Sequence, residues 1–242
     1  KGDNYIIAGG GINIVIVGAA GFGDNTVVAG DGADSITVGM GDNNVDGGGG
    51  ANIIAVGAAG SGNNTILTGD GADNITTGSG TNFICAGGGA NIIAAGSGAN
   101  FVMTGDAADT ISVAAGTGNN VIEAGGGANI ITTTSGHDII EAGNAADVIA
   151  TGDGDDVIKD LGGAGSITAG AGHDRIIMDL SATAGPLTNT LTGAGASYGG
   201  TIGGAAPTGA TTFSGVEEFH ITGGSGDDSF LGGDGADVLD GG

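Results

Sequence analysis

The chain has 242 residues, of which 59 are Gly, 2 are Pro and none is Trp. Gly at this level without Pro excludes collagen, and the Val and Ile content argues against a disordered linker. Three basic residues oppose 27 acidic ones, which gives a formal net charge of −24. A nucleic-acid partner needs the opposite sign, so that class of function is excluded. The single Cys85 excludes an intramolecular disulfide framework and gives no zinc signature.

A nine-residue frame runs through the chain. It reads G-x-G-x-(D/N)-x-U, where U is Val, Ile or Leu, as in Gly30–Ile36 and Gly69–Ile75. The frame combines a glycine-rich turn, an oxygen-bearing side chain and one inward apolar residue on a very short strand. A chain built from such units is predicted to be a solenoid, whose function lies in its length, surface and bound ions.

The Asp or Asn of the frame forms a column that advances mostly in nine-residue steps. Three steps carry insertions, each at an Ala-Ala-Gly segment, and each insertion is predicted to make a bulge. Stacked carboxylates repel one another, so either the chain stays unfolded or a cation belongs to the fold. The periodic Val and Ile favour the folded chain, and hard oxygen ligands favour Ca²⁺. The column consists of Asn4, Asn13, Asn25, Asp34, Asn43, Asn52, Asn64, Asp73, Asn82, Asn91, Asn100, Asp109, Asn120, Asn129, Asp138, Asp147, Asp156 and Asp174.

This nonapeptide closely resembles the repeat of the RTX (repeats-in-toxin) family, G-G-x-G-x-D-x-U-x, over roughly residues 1–179 and 222–242. The resemblance implies an all-β fold, a parallel β-roll or β-solenoid in which two nonamers make one coil and alternate turns lie on opposite edges. It also implies Ca²⁺ between successive turns, held by Asp carboxylates and backbone carbonyls. Family members are secreted, usually by type I export, and fold when they meet millimolar extracellular calcium.

Sorting the column by edge gives two patterns that the family motif does not contain. The first edge is Asn from Asn4 to Asn120 and continues as Asp138, Asp156 and Asp174, whereas the second edge alternates Asn with Asp. Stacked Asn amides can hydrogen-bond along a column without a metal. The first edge up to Asn120 is therefore predicted to be an Asn ladder that is largely calcium-free. Calcium is predicted at the three Asp residues that follow.

Further calcium ligands are predicted on the second edge and in the C-terminal repeats. They are Asp34, Asp73, Asp109, Asp147, Asp228 and Asp237. Asp31, Asp70 and Asp106 on the second edge, and Asp153 on the first, each precede a column Asp by three residues. These extra carboxylates either assist cation binding or are solvated charges on a turn, and both interpretations stay open.

The residue before U should point away from the core, because side chains alternate along a strand. In this chain it is often apolar, which favours either a partner surface with lateral packing or a neighbouring segment that covers the face. These outward positions include Tyr5, Ile14, Ile53, Phe83, Ile92, Phe101, Val121, Ile130, Ile139 and Val148.

Residues 180–221 leave the frame and hold both prolines. They are predicted to form an irregular insertion that caps the roll or separates two roll segments, and it ends in an alternating strand at Phe213–Ile221. The predicted organisation is an RTX-like roll over residues 1–179, the insertion over 180–221 and resumed repeats over 222–242.

Catalytic motifs are weak. Gly195–Gly199 matches G-x-S-x-G, but an elbow around Ser197 needs a following helix, and no helix-forming stretch is present. His137, Asp155 and His173 should stack on one edge, either as exposed turn residues or as a transition-metal site. The chain is predicted not to be an enzyme.

Two functions of different classes follow. The many repeats, the metal-sparing ladder and the apolar outer face favour a calcium-binding structural segment of a secreted or cell-surface protein. A surface layer, an extracellular filament or an adhesin would suit it, with self-association and possible contact with a cell surface. The alternative is a calcium-dependent export and folding module of a secreted enzyme or toxin. No apolar run reaches the ~18 residues of a membrane span, and both ends lie within the frame, as expected for part of a longer repeat protein.

Overall fold

The computed structural model describes residues 2–194, 197–204 and 209–242. Within these residues the regular secondary structure is all β-strand, and no helix there is long and apolar enough to cross a membrane. The chain divides into two compact units, Lys1–Gly125 and Gly126–Gly242. Each unit is a parallel β-solenoid, so the β-roll expected from the sequence is confirmed.

The first unit is built from short strands that alternate between two parallel sheets. Odd-numbered strands pair in one sheet and even-numbered strands in the other. Successive strands in the chain therefore lie on opposite faces of a flattened coil, with two strands per coil. The strands are β1 Tyr5–Ile7, β2 Ile14–Phe22, β3 Thr26–Val28, β4 Ser35–Met40, β5 Asn44–Gly48, β6 Ile53–Ser61, β7 Thr65–Thr68, β8 Asn74–Ser79, β9 Phe83–Cys85, β10 Ile92–Ala95, β11 Phe101–Met103, β12 Thr110–Val113 and β13 Val121–Glu123.

The second unit continues the same plan and adds a hairpin. Its strands are β14 Ile130–Thr132, β15 Ile139–Glu141, β16 Val148–Asp153, β17 Val157–Lys159, β18 Ser166–Ala171, β19 Arg175–Asp179, β20 Leu187–Gly193, β21 Tyr198–Gly204, β22 Ala210–Val216, β23 Glu218–Thr222 and β24 Val238–Asp240. Strand β18 pairs in parallel with β22, and β19 with β23. The coil is thus resumed by β22 and β23 after β20 and β21 have left it.

The irregular insertion is an antiparallel hairpin at the margin of one sheet. Strands β20 and β21 pair antiparallel with each other, and β21 pairs antiparallel with β22. Ser197 directly precedes β21, so a strand follows it and not the helix that a nucleophile elbow requires. Gly195 and Ala196, which begin the G-x-S-x-G match, lie outside the described residues.

The core of the coil is the stack of U residues from the nonapeptide strands. Val45, Ile66 and Ile84 are completely buried on one sheet, and Ile54 and Ile75 are buried on the other. Flanking strand residues point outward, as side-chain alternation requires. The two insertions at Ala19-Ala20 and Ala58-Ala59 lengthen β2 and β6 to nine residues. Register shifts at these strands confirm the bulges predicted at these two insertions.

Close stacking explains the turn glycines. Gly41 has a φ of +124°, and a Cβ added there would collide with the carbonyl group of Gly23 in the neighbouring coil. Any side chain would push the two coils apart, so the short turn requires Gly at this position.

Candidate metal centre

The Asp/Asn column lies inside the turns and not on their outer surface. Every column residue from Asn25 to Asp174 is buried, while Asn4 and Asn13 in the first coil are more exposed. The turn places each side chain immediately before a strand, with glycine carbonyl groups around it. Buried polar groups need hydrogen-bond partners. The partners of each column residue therefore show whether its turn leaves an oxygen atom available for a cation.

On the first edge, the stacked Asn side chains form hydrogen bonds to one another from coil to coil. Asn25 donates its side-chain amide to Oδ1 of Asn43 at 2.8 Å, and its backbone N–H donates to the same oxygen at 3.1 Å. Asn43 repeats this with Oδ1 of Asn64, at 2.9 Å from its amide. The same amide-to-Oδ1 bond links successive coils from Asn4 to Asn120. The predicted Asn ladder is confirmed.

Each Asn amide also closes its own turn. Nδ2 of Asn43 lies 3.0 Å from the carbonyl oxygen of Gly39 and 2.8 Å from that of Gly41. Nδ2 of Asn82 contacts the carbonyl oxygens of Gly78 and Gly80 in the same way, at 3.1 Å each. In an Asn turn the N–H group therefore occupies the space in front of the turn carbonyls, and these turns do not fit a cation there.

On the second edge, an Asp takes the same place in the turn as an Asn, but it has a second carboxylate oxygen instead of the amide N–H group. Asn13 donates its backbone N–H to Oδ1 of Asp34, and Asn52 donates to Oδ1 of Asp73, at 2.6 and 2.7 Å. Oδ1 is therefore placed as in an Asn turn, and Oδ2 takes the position of the amide nitrogen. Across the described residues, Oδ2 of Asp34 and of Asp73 is buried and has no hydrogen-bond partner.

The first edge of the second unit stacks carboxylate on carboxylate. Asp138 donates its backbone N–H to Oδ1 of Asp156 at 2.7 Å, and Asp156 donates to Oδ1 of Asp174 at 2.9 Å. The structure thus brings the three predicted first-edge ligands together in consecutive coils. Within the described chain, Oδ2 of Asp156 and of Asp174 is also buried without a hydrogen-bond partner.

Burial shifts the titration of these carboxyl groups. It raises the pKa of Asp73, Asp147 and Asp156, against the lowering effect of the backbone N–H groups that they accept. The pKa of Asp174 is raised to about 7, first by burial and then by the charges of Asp156, Glu217 and Asp155. Burial therefore disfavours the ionised form of these four carboxyl groups, and a nearby positive charge would favour it.

The Asp turns therefore fit a hard cation, whereas the Asn turns do not. An unpartnered carboxylate oxygen stands beside turn carbonyls, which is the oxygen donor set that Ca²⁺ takes. In the part of the chain that the structure describes, no three His, Cys, Asp or Glu side chains cluster around one point. A bound cation would therefore be held by Asp34, Asp73, Asp156 or Asp174 together with backbone oxygens, and its charge would neutralise the buried carboxylate.

The family of the chain follows from a sequence comparison that agrees with this geometry. The RTX calcium-binding nonapeptide repeat (4 copies) matches residues 20–54, 58–93, 86–117, 112–140, 141–176 and 220–242, which is more than half of the chain. The chain belongs to the RTX calcium-binding nonapeptide repeat family. RTX repeats form a structural, calcium-binding roll and not a catalytic fold. No curated protein matches the chain, and no solved structure matches it.

The remaining predicted RTX ligands have different surroundings. Asp109 and Asp147 accept the backbone N–H of Asn91 and Asn129, each at 2.7 Å, so both lie in the second-edge column. Asp237 accepts the backbone N–H of Phe219 at 2.9 Å in a half-buried turn.

Asp228 differs from the column residues. It accepts the backbone N–H of Leu187 at 2.8 Å and so contacts the inserted hairpin, not a neighbouring nonapeptide turn. Its Oδ2 is buried and has no hydrogen-bond partner among the described residues.

The predicted His-Asp-His stack is present on the surface of the second unit. Asp155 donates its backbone N–H to Nδ1 of His137 at 3.0 Å, and His173 donates its backbone N–H to Oδ1 of Asp155 at 2.8 Å. The side chains of His137 and Asp155 are 60% and 61% exposed. These contacts and this exposure favour exposed turn residues over a transition-metal site.

Three buried carboxylates were not among the predicted site residues: Glu217, Glu218 and Asp160. Glu217 takes the column position beyond Asp174, whose backbone N–H donates to Oε2 of Glu217 at 2.8 Å. Asp160 is fully buried at a core position and accepts the backbone N–H of Gly162 at 2.8 Å. Glu218 accepts a hydrogen bond from the guanidinium of Arg175 at 2.9 Å. None of the three stands at the Asp/Asn position of the nine-residue frame, and no sequence signal marks them.

Proposed function

We propose that this chain is a calcium-binding structural segment of a secreted or cell-surface RTX protein, of the surface-layer, filament or adhesin type. The observation that carries the proposal is the buried Oδ2 of Asp34, Asp73, Asp156 and Asp174, for which the described residues offer no hydrogen-bond partner. An amide fills the same position in every Asn turn, so the Asp turns are the places where a cation completes the structure.

The stability of the folded chain depends on bound calcium. The carboxylates of Asp156 and Asp174 lie in successive coils and repel each other when both are ionised. A cation bound to the folded chain and not to the unfolded one stabilises it by mass action. RTX repeats are typical of proteins exported by type I secretion, and we infer that this chain folds outside the cell, where calcium is abundant.

The outer face of the first unit supports association with a second copy of the chain. Ile14, Ile53 and Ile92 stand on the same face and are 78%, 61% and 53% exposed. They lie on every second strand, with the polar Ser35 and Asn74 on the strands between them. A regular row of exposed Ile on a flat sheet suits lateral packing against another flat repeat face.

One experiment tests both parts of this function. The purified chain is stripped with a chelator and titrated with Ca²⁺ while its melting temperature and its sedimentation are followed. We expect the melting temperature to rise with Ca²⁺ and larger species to form as protein concentration rises. A calcium response without any association would favour an export and folding module of a larger protein. A melting temperature independent of Ca²⁺ would overturn the calcium function itself.

A further inference from the structure

The second-edge column of the second unit is interrupted at Gly165. Strands β16 and β18 are paired in register, with Val148 opposite Ser166, so Gly165 is the neighbour of Asp147 in the next coil. Asn129 still donates its backbone N–H to Oδ1 of Asp147, but Asp147 donates its own to the carbonyl oxygen of Ala145 at 3.0 Å. The backbone-to-carboxylate hydrogen bond that links Asn129 to Asp147 has no counterpart between Asp147 and Gly165, because Gly165 has no side chain to accept it.

No residue other than Gly fits at this position. A Cβ on Gly165 would collide with the carbonyl oxygen of Asp147 and stand 2.8 Å from its backbone nitrogen. The backbones of Gly165 and Asp147 are therefore too close for a side chain at position 165. A carboxylate next to Asp147 can therefore come only from another part of the turn.

A side chain five residues before a column residue lies next to the side chain of that column residue. Thr68 and Thr151 stand at this position in the turns of Asp73 and Asp156; burial raises the pKa of both carboxyl groups, and the two hydroxyl groups act against this rise. A Cβ built at Gly47, five residues before Asn52, would lie 3.5 Å from Nδ2 of Asn52. A side chain at this position thus contacts the δ2 atom of the column residue.

Asp160 stands five residues before Gly165. Its side chain is completely buried, and its Oδ1 accepts the backbone N–H of Gly162. Its Oδ2, like the Oδ2 of Asp147, is buried and finds no hydrogen-bond partner in the described residues. Asp160 therefore brings to the Gly165 turn the carboxylate that the column lacks.

A third oxygen lies on the other side of Gly165. Ser166 pairs with Thr212, which makes Thr211 the neighbour of Gly165 in the following coil. Thr211 is 1% exposed, and its hydroxyl has no hydrogen-bond partner within the described ranges. Three buried, unsatisfied oxygen atoms thus surround one turn, two of them from acids. Burial and, secondarily, the charge of Asp147 raise the pKa of Asp160 to about 7.

We propose that Asp147 and Asp160 together bind a divalent cation at the Gly165 turn, with the Thr211 hydroxyl as a further ligand. All three donors are oxygen atoms, which selects Ca²⁺ over softer metals. This site rests on the proposed calcium function but lies outside the nonapeptide motif, because Asp160 occupies a core position of the repeat. Asp160 supplies the carboxylate that Gly165 cannot provide at its column position.

The test counts calcium ions bound by the whole chain at pH 7.5, by equilibrium dialysis and by calorimetric titration. The key variant is Asp160→Thr, because Thr151 already occupies the equivalent position and shows that the roll accepts it. Glu141→Gln is the matched control, since it removes an exposed carboxylate from a strand of the same unit and outside the turns. Asp160→Asn keeps the side-chain size and guards against a packing defect in the Thr variant.

We expect Asp160→Thr and Asp160→Asn each to bind one calcium ion fewer than the unsubstituted chain, and Glu141→Gln to bind the same number. Asp147→Asn should lose the same ion, so that the double variant Asp147→Asn/Asp160→Thr loses no second one. An unchanged number of ions in both Asp160 variants would overturn this site while leaving the other calcium turns intact. An unsubstituted chain that binds no calcium would overturn the proposed function as well.

Discussion

The backbone N–H of Asp156 donates to Oδ1 of Asp174 at 2.9 Å, and both carboxyl groups are buried. A hydrogen bond thus holds two acids in adjacent coils, where their ionised forms repel each other. The charge of Asp156 is one of the causes that raise the pKa of Asp174 to about 7. The negative charge of Asp156 and Asp174 can be neutralised by a proton or by a cation. The stability of the roll depends on which of the two is bound.

The first prediction concerns pH in the absence of calcium. An acid whose pKa is higher in the folded chain binds more protons when folded, so the free energy of unfolding falls as pH rises. For Asp174 the interval runs from its ordinary 3.8 to about 7, and Asp160 acts in the same direction. In chelator we therefore expect a higher melting temperature at pH 5 than at pH 7.5, measured by circular dichroism.

The same melts in millimolar Ca²⁺ provide the control. A bound cation replaces the lost protons at pH 7.5, so the difference between the two pH values should shrink or reverse. Glu218 titrates in the opposite sense, because its hydrogen bond to Arg175 lowers its pKa, and its stabilisation is lost only at more acid pH. A melting temperature in chelator that rises steadily from pH 5 to pH 7.5 would contradict the prediction.

Much of this fold is readable from the sequence because its periodicity is local. The glycine turn repeats at nine residues, and the U residue that follows each turn is buried, as Ile66 and Ile84 show. The Asn ladder was predictable for the same reason, since the coil spacing alone places Asn43 above Asn25. The exposed Ile residues at positions 14, 53 and 92 also follow from strand alternation.

The unpredicted parts depend on contacts that the repeat does not encode. Glu217 lies 43 residues from Asp174 in sequence and reaches it only because β20 and β21 fold out of the roll. Asp160 follows Ile158 as an inward residue on the same face, where neighbouring repeats carry a small Ala or Thr. Its role depends on the missing side chain of Gly165 in the same turn, and sequence spacing alone does not reveal that pairing.

The second prediction exchanges an acid for an amide. Asp73→Asn restores an N–H to the position of the unpartnered Oδ2, facing the carbonyl groups of its own turn as in Asn82. We expect the variant to be more stable than the unsubstituted chain in chelator, by about 1–3 kcal/mol for one satisfied buried group. Denaturant unfolding at pH 7.5 gives the measurement.

Asp70→Asn is the matched control, because Asp70 lies in the same turn but is exposed. It removes the same charge without adding a buried hydrogen bond, so its free energy of unfolding in chelator should change by less than about 0.5 kcal/mol. Equal stabilisation by the two substitutions would show that overall charge, and not the turn position, limits stability.

The third prediction reverses this exchange in the Asn ladder. Asn82 is completely buried and donates to Oδ1 of Asn100 at 2.8 Å as well as to its own turn. Asn82→Asp removes these N–H groups and places an oxygen against carbonyl oxygens. We expect a loss of about 1–3 kcal/mol or more in chelator, and partial recovery in Ca²⁺ if an Asp turn is sufficient to bind it.

Asn63→Asp is the control for the added charge, because Asn63 is exposed on the same edge and accepts the backbone N–H of Thr81 through its Oδ1. This oxygen is retained in Asp, so little stability should be lost. Asn82→Asp melting like the unsubstituted chain in chelator would refute the view that amide donors hold the first edge together.

The last prediction concerns the row of exposed Ile residues. Ile53 and Ile92 stand on β6 and β10, either side of Asn74 on β8, about 9.6 Å apart at two strand spacings. The double substitution Ile53→Thr and Ile92→Thr keeps β-branched residues on the strands and leaves the buried Ile54 and Ile93 untouched. The melting temperature should therefore stay nearly constant, while association in Ca²⁺ weakens by at least tenfold, since two apolar contacts are lost from each copy. Sedimentation velocity across a concentration series measures the effect, and Asn74→Thr on the same face serves as the control. If both variants sediment like the unsubstituted chain, this face does not carry the association, and lateral packing through the first unit is wrong.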